Sequence, residues 1–265
     1  MIIGNLSGGY LAKNNPKVPF ILAVACNLIF GGLVSMFLRE THVPDPAGAR
    51  APAAAPRQAK AKAAPGGAVL RLLRSGRTLR LLTISNVLTS VVDLTWTIRS
   101  VMALQRLGMG PAEYGVWESV NGVVLLASGR VTSLMLGLMD VHGFNLAVHC
   151  FSTIRQLITA FASRPLHLYL TLIPETFGGE GVRIAALRAL HTRAAVAAGM
   201  GIGESGAALR TQSGVAGLIA TPAFGYVYQM DSSYPWLVAA GFAVLAEVAF
   251  AMLGKEELQR GLGDT

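Results

Sequence analysis

Charge is scarce in this chain: Asp, Glu, Lys and Arg together make up 14% of 265 residues, against about 25% in soluble domains. That shortage excludes an ordinary water-soluble fold, whose surface would need far more polar groups. Acids are the rarer sign, 14 against 22 Lys and Arg. Cysteine is nearly missing as well. Cys26 and Cys150 both fall in apolar stretches, so no disulfide framework is expected. His142, His149, His167 and His191 are scattered, and no HxxxD, HExxH or CxxC spacing groups them with other ligands. Neither a metal nor a cofactor is expected. Residues 1–15 lack the basic n-region and long apolar h-region of a cleavable signal peptide.

Apolar length is what the chain has in abundance. It is 52% hydrophobic, with a mean hydropathy of +0.51. Seven stretches approach the roughly 20 apolar residues that cross a bilayer: 18–38, 79–104, 112–136, 144–162, 166–189, 206–228 and 235–253. An all-α, polytopic membrane bundle follows as the expected class. Thirty glycines suit helices that approach closely through small residues. Pro19, Pro111, Pro165 and Pro235 stand at or just before four of the starts, where a missing N–H costs little.

Basic residues set the expected topology. Nine lie between Arg39 and Arg80, Arg188, Arg193 and Arg210 flank the 189–206 connection, and Lys255 and Arg260 lie in the tail. The opposite side holds Lys13, Lys17, Arg106 and Arg164. Fourteen against four puts the linker and the C-terminus in the cytoplasm by the positive-inside rule. The net charge of +8 then reads as topology and contact with anionic membrane lipid, not as a nucleic-acid surface. Residues 40–77 carry five prolines among Ala, Lys and Arg without apolar periodicity, so a flexible cytoplasmic linker is expected there. It divides residues 1–39 from a helical unit at 78–254 and a tail at 255–265.

Order and spacing carry a family resemblance across nearly the whole chain. Gly4-Asn5-Leu6-Ser7-Gly8-Gly9 resembles the end of the Gly-Pro-x-x-Gly-Gly signature on the fifth helix of major facilitator superfamily antiporters, with Asn5 where that signature has proline. The following PFILAVACNLIFGGLVSMFLRET resembles their sixth helix, and QSGVAGLIATPAFG at 212–225 their eleventh. Leu136–Gly143 keeps the Asp-x-x-Gly spacing of their loop between helices eight and nine, with Val141 where Arg is usual. The resemblance implies an N-terminally truncated protein: the end of helix five and helix six, a linker, then a whole second six-helix bundle. It also implies a partner in the form of the missing first half.

An ionisable group at the membrane centre costs at least ~2.5–3.5 kcal/mol, so it marks a pathway or a pair. Asp93 lies mid-span, and Trp96 and Arg99 follow at i+3 and i+6. The resemblance places this helix on the central cavity, making Asp93 a proton or cation candidate; otherwise it pairs with Arg99, Arg155 or Arg130. Glu118 and Asn121 share a partly polar face with Leu125, Ser128 and Thr132. Glu175 follows Pro174 and precedes Gly178 and Gly179, a kink of the kind where transporters expose backbone to substrate. Pro222 is a second kink candidate. Glu180 and Arg183 are spaced for a local ion pair, and Arg155 and Glu247 read as structural charges.

The expected activity is that of a secondary transporter of a small solute, coupled to protons and working by alternating access, and not that of an enzyme. An inactive or partner-dependent fragment is the alternative. A seven-helix receptor fits the count but not the intramembrane cysteines.

Overall fold

The computed structural model describes residues 9–11, 13, 15, 17–37, 65–255, 257 and 258. The Gly4–Gly8 part of the signature, residues 38–64 with the linker positions from 40, and the tail from 259 lie outside the described residues. Within them every regular element is an α-helix: α1 (Val18–Phe37), α2 (Pro65–Arg74), α3 (Arg77–Asp93), α4 (Trp96–Gln105), α5 (Pro111–Leu138), α6 (Val141–Ala160), α7 (Pro165–Leu170), α8 (Leu172–Gly178), α9 (Glu180–Ala197), α10 (Ile202–Met230) and α11 (Tyr234–Ala251). Three helical stretches are long and apolar enough to cross a membrane: Arg77–Gln105, Pro111–Leu138 and Tyr234–Ala251. They coincide with three of the seven expected stretches. The others hold less apolar length, since α6 carries His142, His149 and Arg155, α10 is diluted by Gly, Thr and Gln212, and 166–189 is divided among α7, α8 and α9. In the first stretch, Ile21–Phe30 is a shorter apolar helix.

Contacts at the helix ends fix their directions. Arg77 at the start of α3 reaches the Met252 carbonyl just past α11, and His142 at the start of α6 meets the Leu253 carbonyl. At the other end, Arg106 after α4 donates to Ala160 at the end of α6. So α11 runs antiparallel to α3, α4 and α6. It packs most extensively on α6 and α3, through buried Ala239, Ala243 and Ala246, whose small side chains let backbones approach. One apolar cluster (Leu72, Leu82, Leu187, Phe250, Leu253) closes the first end. A second, around Met102, Trp117, Leu168 and Trp236, closes the other, and the Trp117 indole donates to the Leu168 carbonyl at 3.0 Å.

Two expectations need correction. The stretch expected as a linker is not irregular up to residue 77, because Pro65–Arg74 is the amphipathic helix α2. Its Leu72 is fully buried and its Arg71 holds Glu204 of α10 at 2.8 Å; apolar residues at 69, 70, 72 and 73 supply a face that the surrounding Ala, Gly and Arg obscure. The 79–104 helix is also interrupted, at Leu94 and Thr95. There the Thr95 and Thr97 hydroxyls donate to the Val92 and Leu94 carbonyls, competing with the helical ladder.

Asp140 caps α6. Its side chain accepts from the Gly143 N–H at 2.7 Å and pairs with Lys255 Nζ at 2.6 Å, tying the α5–α6 connection to the segment after α11. The bond from Lys255, followed by that from Gly143, holds its carboxyl below the ordinary carboxylate range. A lowered folded pKa stabilises above the unfolded value of ~3.9 and ceases to do so as pH falls through the folded value. In detergent, thermal unfolding of the wild type is expected to fall more steeply than that of Asp140→Asn as pH drops below about 4. Parallel pH profiles for the two proteins would remove this role.

Candidate functional site

Two buried ion pairs join four helical segments near the middle of the bundle. Arg155 on α6 donates from Nη1 to Glu175 Oε2 on α8 at 2.5 Å, and the two side chains are 5% and 6% exposed. Arg183 on α9 pairs with Asp93 at the end of α3, and its other terminal nitrogen donates to the Ser152 hydroxyl at 3.2 Å. Ser152 and Arg155 lie one turn apart on α6, which links the two pairs. Gln156 extends the polar layer toward Thr95 at 3.5 Å.

The backbone around Glu175 explains its position. Pro174 has no N–H, which ends the regular ladder with the preceding turn, and α7 gives way to α8 at Thr171. Gly179 then adopts an extended conformation between α8 and α9. A side chain there would collide with the Glu175 carbonyl and carboxylate. The expected kink is thus a double break, at Thr171 and Gly179, with Glu175 between. Gly178 serves a different purpose. A Cβ at that position would lie 2.6 Å from both the Val148 carbonyl oxygen and the Phe151 Cβ, so glycine permits the α6–α8 crossing. Gly178→Ala is expected to cost about 1–3 kcal/mol in denaturant or thermal unfolding. Gly181→Ala, whose Cβ would meet only Leu125 at 3.6 Å, is the control and is expected to be near neutral. Equal behaviour of the two would refute the close crossing. Pro222 sits inside the continuous helix α10 on its exposed side, distant in sequence from the ion pairs.

Beside Asp93 opens a polar cleft of about 150 Å³ between α3, α9 and α10. Asn86, Thr89, Ser90 and Asp93 line it from one face of α3, and Ser213 and Arg188 from the neighbours. The Asn86 amide donates to Gln212 at 3.3 Å, and Ser90 bonds Ser213 at 3.0 Å. The buried Thr89 hydroxyl and the Gln212 amide nitrogen have no hydrogen-bond partner among the described residues.

The remaining sequence candidates form a separate group toward the other end. Arg99 lies over the Trp117 ring, 5.4 Å from its centroid. Trp117 stacks with Tyr114, whose hydroxyl donates to Glu118 at 2.6 Å. Asn121 is buried, its Oδ1 without a partner among the described residues. Trp96 does not share a face with Asp93: its side chain is 59% exposed, because the break at 94–95 separates α4 from α3. Asp93 pairs with none of Arg99, Arg155 or Arg130 but with Arg183; the expected Glu180–Arg183 pair involves a side chain outside the described residues. The four polar positions of α3 at i, i+3, i+4 and i+7 are a legible helical face that the Asp93-Trp96-Arg99 spacing concealed. Among the described residues no cluster of His, Cys, Asp and Glu could hold a metal. Compared with known protein families, curated proteins and solved structures, the chain matches none.

Proposed function

We propose that this chain is a multi-pass membrane protein that works as a secondary active transporter. It moves a small solute by alternating access, coupled to protons at Glu175 and Asp93. The observation that carries the reading is the pair of buried carboxylates, each held by an arginine from another helix, with Glu175 between two helix breaks. A carboxylate held by one arginine has two stable conditions. Ionised, it stays paired; protonated, it releases the arginine and frees the helices to shift. Broken helices near such a site let segments move without disrupting whole spans. The polar cleft beside Asp93 offers the solute hydroxyl and amide groups. The arginine-rich end bearing α2, the start of α3 and the segment after α11 is the cytoplasmic one by the positive-inside rule.

The second reading, a half that works only with a partner bundle, is favoured by the apolar surface of α1, where Ile21, Leu28 and Phe30 are more than three-fifths exposed. Gly9 also lies close against the Pro111 carbonyl and Gly115 of α5. One experiment separates the readings. Purified protein in liposomes, given a pH gradient, is assayed for accumulation of lipophilic cations, sugars and amino acids. Gradient-driven accumulation of one class supports the transporter. Accumulation of none, with insertion verified, overturns the self-sufficient transporter and leaves the half.

A further inference from the structure

An apolar groove lies away from the ion pairs, and its chemistry is different. A groove of about 500 Å³ runs between α3, α10 and α11, walled by Val87, Val91, Ala216, Ala223 and Phe242, with Val69 of α2 at one end. From Thr211 to Val227 it follows α10 for about 24 Å at 1.5 Å per residue. That exceeds the ~15 Å half-thickness of a bilayer's hydrocarbon core. Its α10 wall opens outward, since Val215 and Ile219 are 52% and 68% exposed. A long, narrow, apolar channel open along its side suits an extended hydrocarbon chain better than a compact solute.

Charge at one end narrows the occupant further. The Val69 end adjoins the arginine-rich side of the bundle, where Glu204 is held by Arg71 and Glu257 by Arg77. Arg74, Arg80 and Arg210 are exposed there and pair with no acid among the described residues. Arg80 precedes Val87 by two turns on the same face of α3, and Arg210 immediately precedes the groove-lining Thr211. The apolar channel therefore begins beneath unneutralised guanidinium groups, which match a phosphodiester bidentately. From this geometry we infer that the groove is a binding site for one anionic phospholipid, its acyl chain along α10 and its phosphate at Arg80 and Arg210. The site depends on the chain residing in a bilayer, not on transport.

Native mass spectrometry of the purified protein, loaded with dioleoyl phosphatidylglycerol or dioleoyl phosphatidylcholine, tests this directly. The wild type is expected to retain the anionic lipid about tenfold better, as one or two arginines near a charged headgroup provide. Arg80→Ala with Arg210→Ala should equalise the two lipids, and both positions are exposed, so folding is not at issue. Ala223→Trp, also at an exposed position, fills the groove and should lose both lipids while melting like the wild type. Equal retention of the two lipids by the wild type would overturn the headgroup assignment. Undiminished retention by Ala223→Trp, or a lipid-free dimer, would overturn the groove.

Discussion

Glu175→Gln is expected to abolish gradient-driven accumulation in proteoliposomes while leaving the protein folded. Glutamine has nearly the shape of the carboxylic acid and still offers Arg155 a carbonyl oxygen, but it cannot gain or lose a proton. Stability should fall, because Arg155 is buried and loses its counter-charge. Glu175→Ala, which removes the counter-charge of the buried Arg155 guanidinium, is expected to cost about 3–5 kcal/mol. Glu175→Gln combined with Arg155→Gln removes both charges and should recover most of that loss without restoring accumulation. That separation is the point of the series, since a purely structural ion pair would regain activity along with stability. Accumulation unchanged in Glu175→Gln would end the proton role of this residue.

Asp93→Ala is expected to have the largest effect on folding of any single change at the cleft, about 3–5 kcal/mol. Arg183 is the more deeply buried partner, 1% exposed against 13% for Asp93. Its Nε has no hydrogen-bond partner among the described residues, so losing Asp93 leaves it supported by Ser152. Asp93→Asn with Arg183→Gln should be markedly less destabilised than the sum of the two single changes. The coupling between contacting charged residues is read from such a double-mutant cycle as a non-additivity of ~0.5–3 kcal/mol. Additive effects in thermal or denaturant unfolding would mean that the two side chains do not depend on each other.

The helical class was legible because apolar length survives without context, and three of the expected stretches return as helices of spanning length. Glu175 as a buried acid beside a broken helix was legible from Pro174 and the following glycines. Its partner was not. Arg155 and Glu175 stand 20 residues apart, and Asp93 and Arg183 stand 90 apart; no local period links such positions, so only the packing of α6, α8, α9 and α3 brings them together. Local spacing misled in two places. The Asp93-Trp96-Arg99 sequence reads as one stripe only if the helix is continuous, and threonine hydroxyls at 95 and 97 interrupt it. The Pro/Ala-rich composition before Arg77 hid α2, whose apolar face becomes worth forming only when Leu72 has α3 and α10 to pack on.

If the bundle works as the proposed proton-coupled transporter, the two arginine–carboxylate pairs would also set how it responds to voltage. While both are closed, each sums to zero, and a shift of these helices through the membrane field moves no net charge on their account. Protonating either acid uncovers a full positive charge on its arginine. Displacing that charge across the whole field is worth about 2.3 kcal/mol for each 100 mV. Proton occupancy would thereby decide whether the same motion is electrically silent or driven by the membrane potential.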